Sequence, residues 1–164
     1  MKISKNGTVY EFVIEGALSE GSPLFEQKAS DATQINLDLE KMTYMNSIGV
    51  KTWIFWVTQL PPKAPFVLKK APLLMVNQAS MVMGFLPPQG QIESFFAPYI
   101  CPKCDNDLTQ LLTQGKDYEP AKGGQPAVIN LPKVECPKCK TEMEHDFTVA
   151  KSLTFLGQLP PPKT

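Results

Sequence analysis

A mixed sheet covered by helices, followed by a small cysteine-clasped unit, is the architecture that three features of the chain predict. Strand-like and helix-like runs alternate through the first hundred residues, the order that lays helices over a sheet. The first strands lie close together in sequence, so the sheet of this α/β layer is expected to be mixed. All four cysteines fall in two identical tetrapeptides, Cys101-Pro102-Lys103-Cys104 and Cys136-Pro137-Lys138-Cys139. Paired C-x-x-C hooks mark a four-thiolate zinc site. The chain therefore divides into an α/β unit over 1–100 and a zinc-ribbon module with a proline-rich tail over 101–164.

The elements follow in order. Thr8 to Glu15 sets β-branched and aromatic residues in near alternation, which predicts a half-buried strand. After a polar turn from Ser19 to Ser22, Pro23 is placed to open a short helix over Leu24-Phe25-Glu26. Gln34 to Leu39 predicts a second strand with Ile35, Leu37 and Leu39 on one face. A short turn is expected between Leu39 and Thr43, and after Lys41 to Asn46 Ser47 is expected as N-cap of a helix that runs from Ile48 to Leu60 and stops at Pro61-Pro62. Val50, Ile54 and Val57 form its apolar stripe, with Trp53 and Leu60 beside it. Pro65 to Lys69 reads as a third strand, Leu73 to Phe85 as a second long helix, and Glu93 to Ile100 as a last strand running into the first hook.

The block Ile35-Asn36-Leu37-Asp38-Leu39, then Thr43-Tyr44-Met45-Asn46-Ser47-Ile48-Gly49-Val50 and an apolar helix, resembles the STAS domain of anti-sigma-factor antagonists over about residues 5 to 100. The resemblance implies a STAS-like mixed sheet and a prokaryotic signal-transduction role. Ser47 matches the serine that is phosphorylated in signalling members, Gly49 the motif glycine, and Asp38 the acidic residue ending the central strand. Asn46 stands in place of the motif aspartate and Ile48 in place of its second serine. Trp53, Phe55 and Trp56 cannot share one helix face at about 100° per residue. At least one is expected to point outward or to be covered by the zinc module or its tail. Asn46, Ser47, Gly49, Trp53 and Trp56 are accordingly the candidate interaction surface.

In the second unit, Cys101, Cys104, Cys136 and Cys139 are the candidate metal ligands, for one structural Zn²⁺. A two-residue gap lets both sulfurs of a tight turn reach one ion, and two such turns close a tetrahedron. The hooks are separated by residues 105–135, thirty-one positions, so an insertion is expected at the ribbon's tip. Asp105 and Lys140 occupy the place after the second cysteine where glycine and φ > 0 are common. Within the insertion, Asp107 to Leu112 is read as a helix and Gly115 to Gln125 as a polar loop. Phe147-Thr148-Val149 is read as the return strand of the second knuckle, Leu153 to Leu156 as a strand or docking segment, and Pro160-Pro161-Pro162 as a polyproline tail. His145 is expected at the surface and not as a ligand. Two disulfides would suit a secreted chain, but Met1 is followed by Lys-Ile-Ser-Lys-Asn-Gly with no apolar leader.

Composition narrows the function classes. The sixteen basic residues are all lysine and are balanced by sixteen acids, with eight of each on either side of position 100. A neutral, arginine-free chain argues against a nucleic-acid partner. The longest apolar runs fall short of the roughly 20 residues of a membrane span. No Cys–His dyad, phosphate-binding glycine loop or open metal site points to an enzyme. The expectation is a cytoplasmic regulatory module that binds a regulatory protein of the anti-sigma or kinase-like kind, or itself, through the Ser47 corner. The alternatives are a small thiol-redox or metal-handling protein using the two CPKC pairs, and a zinc-ribbon adaptor for nucleic acid or transcription.

Overall fold

The first sheet begins with a hairpin. Lys2–Asn6 (β1) and Val9–Leu18 (β2) pair antiparallel through Asn6 and Val9, and Gly7 takes the turn at φ 61°, a conformation natural to glycine. The computed structural model describes residues 1–160; Pro161 and Pro162 of the expected tail lie outside the described residues. From β2 onward the pairing is parallel: β2 with Gln34–Met45 (β3), β3 with Phe66–Lys69 (β4), and β4 with Gly90–Ile92 (β5). Spatial order follows chain order, β1-β2-β3-β4-β5. One antiparallel and three parallel pairings make the sheet mixed, as expected.

The crossovers carry the helical segments. A 3-10 turn at Pro23–Glu26 lies between β2 and β3, helix α1 (Ser47–Thr58) between β3 and β4, and helix α2 (Leu73–Met81) between β4 and β5. Alternation along β3 buries Ile35, Leu37 and Leu39 completely on one face, as the period of a strand requires. Phe12 and Ile14 of β2 and Phe66 and Leu68 of β4 extend that layer, and Trp53 of α1 closes over it.

Three boundaries differ from the sequence reading. β3 continues through the expected turn to Met45, because β2 also continues to Leu18 and offers it a partner. Register shifts between Val13 and Glu15 and between Gly16 and Ala17 absorb the curvature, with Gly16 at φ 79°. α2 stops at Met81, four residues early, where Gly84 turns the chain at φ 79°. That turn lets Phe85 stack on Trp53, centroids 5.2 Å apart, and lets its carbonyl accept the indole N–H at 2.8 Å. The last strand is two strands, β5 and Ser94–Ile100 (β6), and these belong to different sheets.

β6 carries the second sheet, which is wholly antiparallel. It pairs with Asp107–Thr113 (β7) on one side and Glu142–His145 (β11) on the other, and β11 pairs with Val134–Glu135 (β10). Between them Tyr118–Glu119 (β8) and Val128–Ile129 (β9) form a small ribbon. β7 occupies the segment read as a helix: with Leu108, Gln110 and Leu112 opposite Tyr99, Ala97 and Phe95, its period is two. The return strand is β11, and the segment read as that strand begins helix α3 (Val149–Ser152) instead. A 3-10 turn at Thr154–Leu156 follows.

The two sheets share a seam. Ala71, just past β4, donates to Ser94 O at 2.9 Å and accepts from Phe96 N at 2.9 Å. Tyr118, buried and with its phenol pKa raised by that burial, donates to Ile92 O at 2.6 Å. Ser80 of α2 donates to Ser152 O at 2.5 Å, and Thr154 Oγ1 donates to Ser80 O at 2.8 Å.

Trp53→Ala is expected to cost about 3–5 kcal/mol, because it removes a fully buried ring and leaves a cavity. Phe55→Ala, on the outer face of the same helix, should stay within about 0.5 kcal/mol. Urea unfolding of the two variants checks this; equal losses would contradict the packing described.

Candidate functional site

The four cysteines sit in two turns of the same construction. Cys101 follows β6 and Cys104 precedes β7; Cys136 follows β10 and Cys139 precedes β11. In the first turn Cys101 N donates to Asn106 O at 2.9 Å and Asp105 N to Cys101 O at 3.0 Å. In the second, Cys136 N donates to Thr141 O at 2.9 Å and Lys140 N to Cys136 O at 3.0 Å. Asp105 and Lys140 take φ 53° and 62°, so the position after each second cysteine is left-handed although neither residue is glycine. Aspartate tolerates that region through its short polar side chain; lysine has no such help.

These turns bring the sulfurs together. The four Sγ atoms lie within 4.8 Å of one another, with Cys101–Cys139 at 3.4 Å and Cys104–Cys136 at 3.6 Å. All four are free thiols. Zn–S bonds of about 2.3 Å in a tetrahedron put sulfurs roughly 3.8 Å apart, so the donor set and its spacing fit one such ion. Cys101 and Cys136 are fully buried, Cys139 is half-buried and Cys104 faces solvent. The hydroxyl and amide of Thr141 favour a charged Cys139 and bring its pKa down to about 6. The amide of Asn106 favours a charged Cys104 in the same way, but desolvation and the adjoining sulfurs prevail and push it up to about 12. One thiolate among crowded thiols makes the next costly, and a bound cation is what lets all four ionise together. His145 is exposed, its Nδ1 3.0 Å from Phe147 O, and it is not part of the cluster.

The other predicted site lies at the start of α1. Asn46, not Ser47, is the N-cap: its Oδ1 accepts from Gly49 N at 2.6 Å. Both residue types cap well, and the extended backbone falls on Asn46 because β3 runs to Met45. Ser47 becomes the first helical residue, exposed, with its amide and that of Ile48 free of intrahelical partners. Gly49 is buried against β2, where a Cβ would stand 2.4 Å from Leu18 O. Asp38 lies within β3 rather than at its end, 3.7 Å from Lys70 Nζ, which also meets Glu40 at 2.8 Å.

Trp53 and Trp56 do not belong to an exposed surface. They are 0% and 3% accessible, and Trp56 Nε1 donates to Gln27 O at 3.0 Å. Neither depends on the cysteine-bearing half for cover: Phe85 and the Gln27 loop supply it. Spacing contained the signal, since Gly49, Trp53, Trp56 and Leu60 recur at three and four residues and form the buried stripe, while Val50 and Ile54 are half-buried. The exposed apolar residues of this corner are Tyr44, Ile48 and Phe55, at 57%, 50% and 67%.

Two substitutions check these local arguments. Gly49→Ala should destabilise by about 1–3 kcal/mol, because the methyl meets a backbone carbonyl that cannot rotate away; an unchanged midpoint would refute the close approach. Lys140→Gly should stabilise the metal-loaded protein by about 1 kcal/mol through relief of the left-handed strain, read as a higher thermal midpoint.

No helix among the described residues is long and apolar enough to cross a membrane. Comparison of the chain with protein-family models, with curated proteins and with solved structures gave no match.

Proposed function

We propose that the chain is a regulatory protein-interaction module, resembling the anti-sigma-factor antagonists, that presents the start of α1 to a partner and is braced in its second half by one structural zinc ion. The convergence of four soft sulfurs, none of them in a disulfide, carries the metal part. Four thiolates complete a tetrahedral shell and leave no position for water or substrate, so the ion's role is to hold two turns together. Free thiols in this number suit a reducing, cytoplasmic setting.

The corner supports the recognition part. Ser47 stands exposed beside exposed Ile48 and close in sequence to Tyr44, on a turn made rigid by the Asn46 cap and the Gly49–Leu18 approach. A phosphate on Ser47 Oγ would meet unpaired amides and the positive end of the helix dipole, and would add charge of about −1.5 to −2 to the surface a partner touches. A nucleic-acid partner is disfavoured by a neutral chain without arginine.

Native mass spectrometry with cysteine alkylation tests the metal part. One zinc per chain and four protected thiols are expected, with protection lost on chelation. No metal, and thiols that cycle to disulfides, would replace this reading with a thiol-redox one. For the corner, a photo-crosslinker at Ile48 should capture a protein in cells; Ser47→Glu should reduce capture about tenfold while Ser47→Ala leaves it unchanged. Capture indifferent to Ser47→Glu would remove the switch.

A further inference from the structure

The second sheet leaves one long edge open. β7 bonds to β6 on one side only, and the direction of its remaining groups follows from the ladder. Cys101 N donates to Asn106 O, and Gln114 N to Glu93 O. In an antiparallel pair the bonded positions alternate, so Leu108, Gln110 and Leu112 turn their amides toward β6. Asp107, Thr109, Leu111 and Thr113 turn theirs away. The Asp117 carboxylate accepts from Thr113 N at 2.8 Å. Among the described residues nothing does the same for Thr109 or for the amide of Leu111; the Leu111 carbonyl has only a 3.5 Å contact from the Gln110 side-chain amide.

The other edges of the two larger sheets are protected in the usual ways. β1 carries Lys2 and Lys5, β5 has three residues, and β10 has two residues preceded by Pro132 and Lys133. β7 has seven residues, with no lysine, no proline and no shift of register.

We propose that β7 pairs antiparallel with β7 of a second copy, about a two-fold axis at Thr109. Charge sets the direction, and an edge with a single charge admits a second copy of itself. Asp107 is the only ionisable residue of the strand. With Thr109 opposite Thr109, Asp107 faces Leu111 of the second copy, and the two carboxylates stay four residues apart along the ladder, about 13 Å. A parallel pairing in register would set them side by side. The outward residues then meet only outward residues, so their N–H and C=O groups exchange bonds, and a Thr–Thr pair forms at the centre. The two four-stranded sheets become one continuous sheet.

A single strand buries less than the roughly 1,200 Å² of a standard interface, so the association depends on concentration. Sedimentation equilibrium of the full-length, metal-loaded protein from about 10 µM to about 1 mM reads it. The mass is expected to rise from the 18.2 kDa of one chain toward twice that value. Thr109→Pro removes an amide hydrogen that bonds nothing in its own chain, and Thr109→Lys sets two cations face to face. Each should weaken association at least about tenfold, with unchanged metal content and circular dichroism. Wild-type protein that stays monomeric throughout would overturn the proposal and leave the edge to a strand from a different protein. Dimers equally strong in both folded variants would also overturn it.

Discussion

The second half of the molecule depends on bringing two distant turns to one point. Its strands β8, β9 and β10 have two residues each, too few to hold a fold by their own ladders. β6 solves the problem by pairing with both β7 and β11, so that the turn after β6 and the turn before β11 arrive at the same end of one sheet. The sulfurs then lie at the separations a tetrahedral ion requires. An ion bound there would crosslink the sheet, and its binding energy would go into holding a loop-rich segment closed.

The same strand ties that segment to the rest. β5 and β6 are separated by Glu93 alone, and the Ala71 bridge makes the end of the parallel sheet the beginning of the antiparallel one. Tyr118, α3 and the Thr154–Leu156 turn add side-chain contacts to Ile92 and α2. The apolar core is continuous across this seam, from Phe12 and Trp53 through Phe95 to Leu153 and Leu156. The cysteine cluster and the α1 corner are therefore carried by one packed body, with the corner built by β2, β3 and α1 and the cluster by β6, β7, β10 and β11.

Much of this was legible in the chain, and the reasons are local. The C-x-x-C spacing states which four atoms must meet, because tight-turn geometry allows little else. The alternation of Ile35, Leu37 and Leu39 states which face of β3 is buried. Pro23 and Pro61-Pro62 mark the start of one helical turn and the end of α1. The errors are also of one kind. Asp107 to Leu112 carries leucines that suit either period, and β6 as a neighbour decides for a strand. The extension of β3 through Met45 needed the matching extension of β2, and the early stop of α2 needed Trp53 to receive Phe85.

Sequence alone determined the two cysteine hooks, the alternation of strands and helices, and the balance of formal charge, since each is read from local spacing or from composition. Tertiary structure decided which aromatic of Trp53, Phe55 and Trp56 faces water, which of Asn46 and Ser47 caps α1, and which strand edge stays unpaired. Those outcomes turn on what packs opposite: Phe85 and Gln27 beneath the indoles, Leu18 behind Gly49, and β6 on one side of β7. A chain read in one dimension lists its donors, acceptors and apolar faces, but which of them meet is settled by elements far away in sequence.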